Sequence, residues 1–330
     1  MDLITGPTGF IGTHLVKALI DKDSEIAILI RNKSSLDPSF KNAGIKIIEG
    51  DLTNIESLKK ATENIDTIYH LAGYIGGAQP KDELFDQVNV KGTENLLKAA
   101  KINNVDKIVV VSSVAALGDV KEGQESTKCF PINQYGKSKL KMENICQKYA
   151  QSSKLKIIIL RPSSIYGPRE KGSFFNIIQG LRKNKFMIVG NGENRLNYLY
   201  IDDFVNVLIK SGEIIKLKKV NFETFIISGK AISMNQFINT LTKVLGVKKP
   251  IKIPYFVGLL IALFFEFIQL IIKNKKMPIN LHRLKTMTLD RSFDISKAKR
   301  VLNFTQKVSL DEGTRKYIQW LDKLNSEEKK

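Results

Sequence analysis

Tyr135 and Lys139 stand four residues apart in the run Tyr135-Gly136-Lys137-Ser138-Lys139. On a helix, that spacing projects both side chains from one face. A phenol ionises near pH 10 in water and is a poor base at neutrality. An ammonium held one turn away favours the phenolate and draws that pKa toward the working range. The chemistry such a pair suits is proton transfer at an oxygen. The same spacing also occurs on solvated helix faces, so the pair gains meaning only from the elements that position it.

Those elements begin at the N-terminus. Residues 2–5 read as a short buried strand, and Gly6-Pro7-Thr8-Gly9-Phe10-Ile11-Gly12 follows directly. Residues 14–20 then show helical apolar spacing at Leu15, Ala18 and Leu19. A strand, a glycine turn and a helix set backbone N–H groups and a positive helix end where a pyrophosphate can sit. Gly6 permits the tight turn, Gly9 the close approach of phosphate, and Gly12 the packing of helix on strand. Pro7 removes one N–H from this loop, and His14 reads as a helix-surface residue, not a ligand.

Residues 26–30 form the second predicted strand, ending at Arg31-Asn32-Lys33-Ser34. A carboxylate at this strand end would bind the two ribose hydroxyls of NAD. Arg31 stands there instead, with Lys33 and Ser34 beside it, and these groups suit the 2′-phosphate of NADP. A basic solvated loop is the competing reading, so the cofactor is NADP or NAD with a lean to NADP.

Further strands are predicted at residues 46–49, 67–71, 107–111, 156–160 and 222–227, with amphipathic helical stretches among them, clearest at 90–100. Alternating strands and helices argue an α/β fold with a parallel, doubly wound sheet whose ligands bind at the carboxyl ends of the strands. Asp51, Ala72, Gly73, Ser113 and Ser163 all fall at such ends.

Taken together, Thr5-Gly6-Pro7-Thr8-Gly9-Phe10-Ile11-Gly12, Asp51-Leu52, His70-Leu71-Ala72-Gly73, Asn89-Val90-Lys91-Gly92-Thr93, Ser112-Ser113 and Tyr135-Gly136-Lys137-Ser138-Lys139 resemble an extended short-chain dehydrogenase/reductase of the NAD-dependent epimerase/dehydratase superfamily. Arg161-Pro162, Tyr166-Gly167-Pro168 and Tyr200-Ile201-Asp202-Asp203 extend the likeness, which runs from residue 2 to about 322. The resemblance implies a Rossmann-type dinucleotide-binding domain over 1–168 and 199–228. It implies a smaller, discontinuous substrate-binding region over 169–198 and 229–330. It makes Tyr135 the proton donor or acceptor at the reacting oxygen, with Lys139 lowering its pKa and holding the nicotinamide ribose. Ser113 would bind the substrate oxygen, with Ser112 as the second candidate. Gly6, Thr8, Gly9, Phe10, Ile11, Gly12 and Arg31 would hold the cofactor with Asp51, Leu52, Leu71, Ala72, Gly73, Pro162 and Ser163. His70 reads as core or cofactor-adjacent, and Asn89 as a hydrogen bond between a helix and a neighbouring strand.

The substrate is left between two classes. The apolar stretch at 254–272 and the segment from Asp290-Arg291-Ser292-Phe293-Asp294 to Ala298 are similar to 3β-hydroxysteroid dehydrogenase and dihydroflavonol reductase relatives, implying a hydrophobic, steroid-, lipid- or flavonol-like substrate. Residues 190–203 are equally at home in nucleotide-sugar epimerases and dehydratases, which keep NAD tightly bound. Leu117 stands where many sugar-nucleotide members carry a tyrosine. Arg195 suits a substrate phosphate and equally a loop facing water. A non-catalytic dinucleotide sensor is the alternative of another class, and the intact Ser113, Tyr135 and Lys139 set argues against it.

The remaining sequence sets bounds. At 330 residues, 43% hydrophobic and 26% charged, the chain has the composition of a globular protein. Strand-like sequence from residue 2 leaves no room for a leader, so a cytoplasmic location is expected. Cys129 and Cys146 lack metal-ligand spacing and are expected as free thiols, with no metal. The formal charge of +19 is spread over scattered lysines without a nucleic-acid module, so a small-molecule partner is expected and nucleic acid is not. Whether the chain forms a homodimer is left open. Within 254–272, Gly258, Ala262, Glu266, Gln269 and Lys273 share one small and polar helical stripe, and Lys248, Lys249, Lys252, Lys273, Lys275 and Lys276 flank the stretch. A buried pocket helix, a membrane-interface helix and a transmembrane span all remain open for it, so peripheral membrane contact is one expectation.

Overall fold

A computed structural model describes residues 1–40, 43–77, 80–217, 221–271 and 281–327. They divide into two compact units. The first comprises Met1–Ile165, Ile201–Ser228 and Asp294–Lys307; the second comprises Tyr166–Tyr200, Gly229–Phe293 and Val308–Lys330.

The first unit is built on seven strands: β1 (Asp2–Thr5), β2 (Ile26–Ile30), β3 (Lys46–Glu49), β4 (Thr67–His70), β5 (Lys107–Val111), β6 (Lys156–Pro162) and β7 (Phe222–Ile227). Their order across the sheet is β7-β6-β5-β4-β1-β2-β3, and every neighbouring pair is parallel. The order reverses beside β1, which creates the crevice at the strand ends where dinucleotides bind in such sheets. Continuous apolar runs such as Ile26–Ile30 and Lys107–Val111 are buried along almost their whole length, as a sheet covered on both faces requires.

Helices differ from the sequence expectation mainly at their ends. The first runs Phe10–Ile20 and starts directly at the glycine turn. The stretch expected at 90–100 begins as wide π-helical turns over Phe85–Gly92 and becomes α-helical at Thr93–Ile102. A π turn inserts an extra residue, so the 3.6-residue apolar rhythm is legible only after it. Ile201–Leu217 is one helix, and the preceding strand is Arg195–Tyr200. Asp203, in its first turn, is buried and accepts the Lys307 N–H at 3.1 Å. Residues 294–307, grouped with the substrate region from sequence, pack in the sheet-bearing unit. There Lys297 pairs with Glu223 at 2.6 Å and donates to the Thr224 carbonyl at 2.9 Å.

The second unit has an aromatic core. Tyr166 stacks on Phe174 at 4.5 Å, Tyr198 stacks on Phe237 at 4.6 Å, and Tyr317 meets Phe174 edge-on at 5.0 Å. The Tyr317 hydroxyl donates to the Glu170 carbonyl at 2.8 Å, so this buried ring keeps its polar end satisfied. The helix Met234–Leu245 carries a capping box, Ser233 with Gln236, and stops at Gly246 in the left-handed region.

The junction of β1 and the first helix has no spare room. A Cβ on Gly12 would collide with the Gly6 carbonyl oxygen and with Pro7 Cα. Gly12→Ala is therefore expected to lower the unfolding free energy by about 1–3 kcal/mol, read as an earlier urea midpoint at unchanged slope.

Candidate active site

Tyr135 and Lys139 lie on the helix Gln134–Ser152, in its first and second turns. Asn133 starts that helix by accepting the Gly136 N–H at 2.8 Å. At position 136 the helix comes so close to the loop after β5 that any Cβ would strike the Ala115 carbonyl oxygen. That approach is backbone against backbone, and it brings the loop carrying Ser113 to the helix carrying Tyr135. The Ser113 side chain acts on the Tyr135 phenol, drawing its pKa down. The Ser113 oxygen accepts the Ala115 N–H at 3.1 Å, which fixes its position.

Lys139 is buried, and its ammonium donates to the Val111 carbonyl at 2.8 Å. Burial pulls its pKa down to about 8, against the nearby Glu143 carboxylate, which acts to raise it. Its nitrogen lies 6.0 Å from the Tyr135 ring centre. Burial pushes the Tyr135 phenol above its ordinary value, and the Ser113 side chain opposes the shift. The lysine spacing alone suggests a lowered phenol pKa; desolvation by burial decides the direction instead.

Glu143, one turn beyond Lys139, anchors the helix. Its carboxylate accepts Arg161 Nε at 3.0 Å and Nη2 at 2.6 Å, with both side chains buried. Ser112 donates to the same carboxylate at 2.5 Å. Ser112, the second candidate for the substrate oxygen, is thus committed to Glu143. Cys129 lies 3.6 Å from Arg161 Nη2, and it and Cys146 are both free thiols. Burial pushes Cys146 up to about 12.

The cofactor candidates gather at the carboxyl ends of β1 to β6. Gly6 adopts φ +72°, a conformation that favours glycine, and lies against the backbone of Ala72. Gly9 starts the first helix with no side-chain cap, and its first turn holds no acid. Thr8 is exposed and Phe10 and Ile11 are half-buried beside it. Arg31 is exposed at the end of β2, while Lys33 approaches Glu49 at 3.9 Å and Asn32 accepts the Ser34 N–H. Asp51 accepts both the Thr53 N–H and hydroxyl at 2.7 Å, and Leu52 is in the core. Leu71 bonds the Thr5 carbonyl, and exposed Gly73 leaves room beside the Lys139 nitrogen. Pro162 closes β6, and Ser163 follows with a buried hydroxyl lacking any hydrogen-bond partner. An uncapped helix start and a glycine cradle after β1, with an orphaned hydroxyl after β6 at the same carboxyl edge of the sheet, fit a dinucleotide. Among the described residues no group of three or more His, Cys, Asp or Glu is placed to hold a metal ion.

Two residues do more than their sequence context suggested. Asn89 clamps the loop after β4 to the helix Gln134–Ser152. Its oxygen accepts the Tyr74 N–H at 2.6 Å, and its amide donates to the Tyr74 carbonyl and the Ser138 hydroxyl, each at 2.9 Å. Its place in a π-helical stretch is the mark that points to such a role. His70 is buried, with Nδ1 at 2.8 Å from Thr5 Oγ1 and Nε2 at 2.8 Å from Thr93 Oγ1. Thr93 already donates to the Asn89 carbonyl, so it accepts from His70 Nε2, while Thr5 accepts the Ala72 N–H and donates to Nδ1. Burial, helped by the Lys139 charge, holds the ring neutral, with its pKa near 3. Arg195, the candidate for a substrate phosphate, belongs to the second unit and pairs with Asp290 through Nε at 2.8 Å and Nη2 at 3.0 Å.

The NAD dependent epimerase/dehydratase family model matches residues 3–218. The chain belongs to that family. It is 29% identical over 327 residues to the Escherichia coli O157:H7 N-acetyl-alpha-D-glucosaminyl-diphospho-ditrans,octacis-undecaprenol 4-epimerase, covering 96% of this chain and 94% of that one. It is 25% identical over 346 residues to the decarboxylating sterol-4-alpha-carboxylate 3-dehydrogenase of Candida albicans, covering 97% of each. The solved UDP-glucuronic acid 4-epimerase of Bacillus cereus, in complex with NAD, matches with a TM-score of 0.79 and 25% identity, covering 98% of this chain and 99% of that one. The family resemblance carried by the motifs is thereby established, and this member is an NAD-dependent enzyme of the oxidoreductase, epimerase and dehydratase group.

Lys139 makes the pH dependence of this family member's stability calculable in sign. Between its folded value of about 8 and its ordinary 10.5, the unfolded chain holds a proton that the folded chain has released. The Lys139 contribution to stability therefore rises as pH climbs through that window, by on the order of 3 kcal/mol. Denaturation of the wild type and of Lys139→Met at pH 7.5 to 10.5 (about the span of that window) is expected to show the rise in the wild type alone.

Proposed function

We propose that this enzyme oxidises or reduces a secondary alcohol or ketone carbon, with Tyr135 moving the proton at oxygen. The observation that carries the reading is the close approach of the Tyr135 helix to the Ser113 loop at Gly136, with Lys139 buried one turn along. A bound nicotinamide dinucleotide supplies the hydride donor or acceptor. Ser113 holds the substrate oxygen beside the phenol, and Tyr135 gives it a proton or takes one from it. Lys139 keeps a positive charge one turn below, where it favours the phenolate as charge develops. The glycine turn 6–12 and Ser163 hold the cofactor, and Gly73 leaves it space beside Lys139.

The preferred substrate has an apolar portion. Relatives named for a sterol carboxylate and for a polyprenyl diphospho-sugar support this reading, since both molecules are lipids. The second relative also supports the alternative, a sugar epimerase or dehydratase that returns the hydride to its substrate and keeps NAD bound. A lipid-linked sugar would satisfy both. Arg31, exposed where NAD-specific sheets carry an acid, supports acceptance of NADP.

Tyr135→Phe is expected to lose about 10²–10⁴ in turnover while titrating NADPH fluorescence as the wild type does. Turnover equal to wild type would overturn the assignment of the proton transfer to Tyr135. Arg31→Ala is expected to weaken NADPH binding by about tenfold and leave NADH unchanged, as loss of one charge-assisted phosphate contact requires. NAD retained through purification without exchange would rule out the NADP preference and select the epimerase or dehydratase reading.

A further inference from the structure

The helix Tyr255–Ile271 in the second unit has its polarity inverted relative to an ordinary surface helix. Its small and polar stripe faces inward. A Cβ on Gly258 would stand 2.5 Å from Val189 and 3.3 Å from Leu284, and Ala262 is fully buried in a cluster with those two residues. Glu266 accepts the Leu281 N–H at 3.1 Å. The side chain of Gln269 and the whole of Lys273 lie outside the described residues.

The large apolar side chains are on the other side. Phe256 is 63% exposed, Leu260 62%, Leu263 45%, Phe264 60% and Phe267 62%. Their spacing of four, three, one and three residues is that of a single helical stripe. Of the thirteen large hydrophobic side chains exposed among the described residues, seven lie between Ile251 and Phe267.

We propose that this face docks the protein on an anionic lipid bilayer, with the helix lying in the interface plane and the stripe inserted among the acyl chains. Charge selects this occupant. Lys248, Lys249 and Lys252 are exposed just before the helix, and Glu266 is the single acid in residues 248–276, against six lysines. Aromatic and aliphatic side chains flanked by lysines match the two layers of a bilayer surface, apolar below and anionic above. A second copy of this chain would bring two surfaces of like charge together, in a chain already at +19. The described part of the helix is too short to span. Seventeen residues reach about 25 Å, short of a hydrocarbon core of about 30 Å, and one face is spent on Val189 and Leu284. No helix among the described residues is long and apolar enough to cross a membrane. A cavity of about 730 Å³ lined by Val189, Asn191, Asn194, Lys252, Tyr255 and Thr288 adjoins the first turn, where lipid headgroups would lie.

The test reads binding without turnover, so it stands or falls apart from the catalytic assignment. The full chain is sedimented with phosphatidylcholine vesicles and with vesicles mixed with phosphatidylglycerol. Binding to the anionic vesicles that weakens with salt is expected. The variant carrying Phe256→Ser, Phe264→Ser and Phe267→Ser is expected to lose at least about tenfold in affinity. Replacing Lys248, Lys249 and Lys252 by Glu is expected to cost about fivefold per lysine. Circular dichroism verifies folding, and the single Phe264→Glu change serves if the triple variant misfolds. No binding at low salt, or wild-type binding by the serine variant, would overturn the proposal. A dimer by light scattering that the serine variant dissolves, without vesicle binding, would assign the face to a second copy.

Discussion

The buried carboxylate of Glu143 is the fixed point of the candidate active site. It accepts Nε and Nη2 of Arg161 on β6 and the hydroxyl of Ser112 at the end of β5, so it ties the helix Gln134–Ser152 to two neighbouring strands at once. A charge this deep is tolerated only when paired and hydrogen-bonded, and the geometry here meets both demands. Lys139 lies one turn toward the helix start and Tyr135 one turn further, so holding Glu143 also sets the height of both over the strand ends. Gly136 then permits the final approach to the Ser113 loop. The pair of charges and the missing side chain act together. One fixes the helix along the strands, and the other lets it close on the loop.

Around this anchor the electrostatics oppose one another in a useful way. Desolvation pushes the Lys139 ammonium toward neutrality and the Tyr135 phenol toward its protonated form. Glu143 acts to keep the lysine charged, and Ser113 favours the phenolate. Both groups are therefore sensitive to what else enters the site, because burial has already removed the water that would buffer them. His70, close enough for the Lys139 charge to matter, stays out of this exchange. Its two nitrogens are used by threonines, and its task is to join β1 and β4 to the helix carrying Asn89.

The second unit shows a different economy of surface. Its aromatic core satisfies itself, with Tyr317 hydrogen-bonded to Glu170 and the rings of Tyr166, Phe174, Tyr198 and Phe237 in contact. Nothing in that core requires Phe256, Phe264 or Phe267 to be aromatic. Their exposure has a cost in water that a buried alternative would not, and a lysine-flanked apolar stripe is the pattern that an anionic interface rewards.

Much of the first unit was legible in the amino-acid sequence. All seven strands of the sheet, the glycine turn, and Tyr135 with Lys139 on one helical face follow from rules that act over a few residues. Parallel strands buried on both faces must be apolar throughout, and a phosphate cradle must have glycines at fixed steps. The composition of 254–272 likewise announced an unusual helix. Its orientation was not legible, because the small stripe of Gly258 and Ala262 and the apolar stripe of Phe256 to Phe267 are equally plausible inner faces until Val189 and Leu284 are known to meet the former. The direction of the Tyr135 shift, the use of Ser112 by Glu143 and the pairing of Arg195 with Asp290 were hidden for the same reason. Sequence determined which groups are present and their local spacing. Tertiary structure alone decided which are dry and which are already spoken for, because burial and hydrogen-bond partners come from residues distant along the chain.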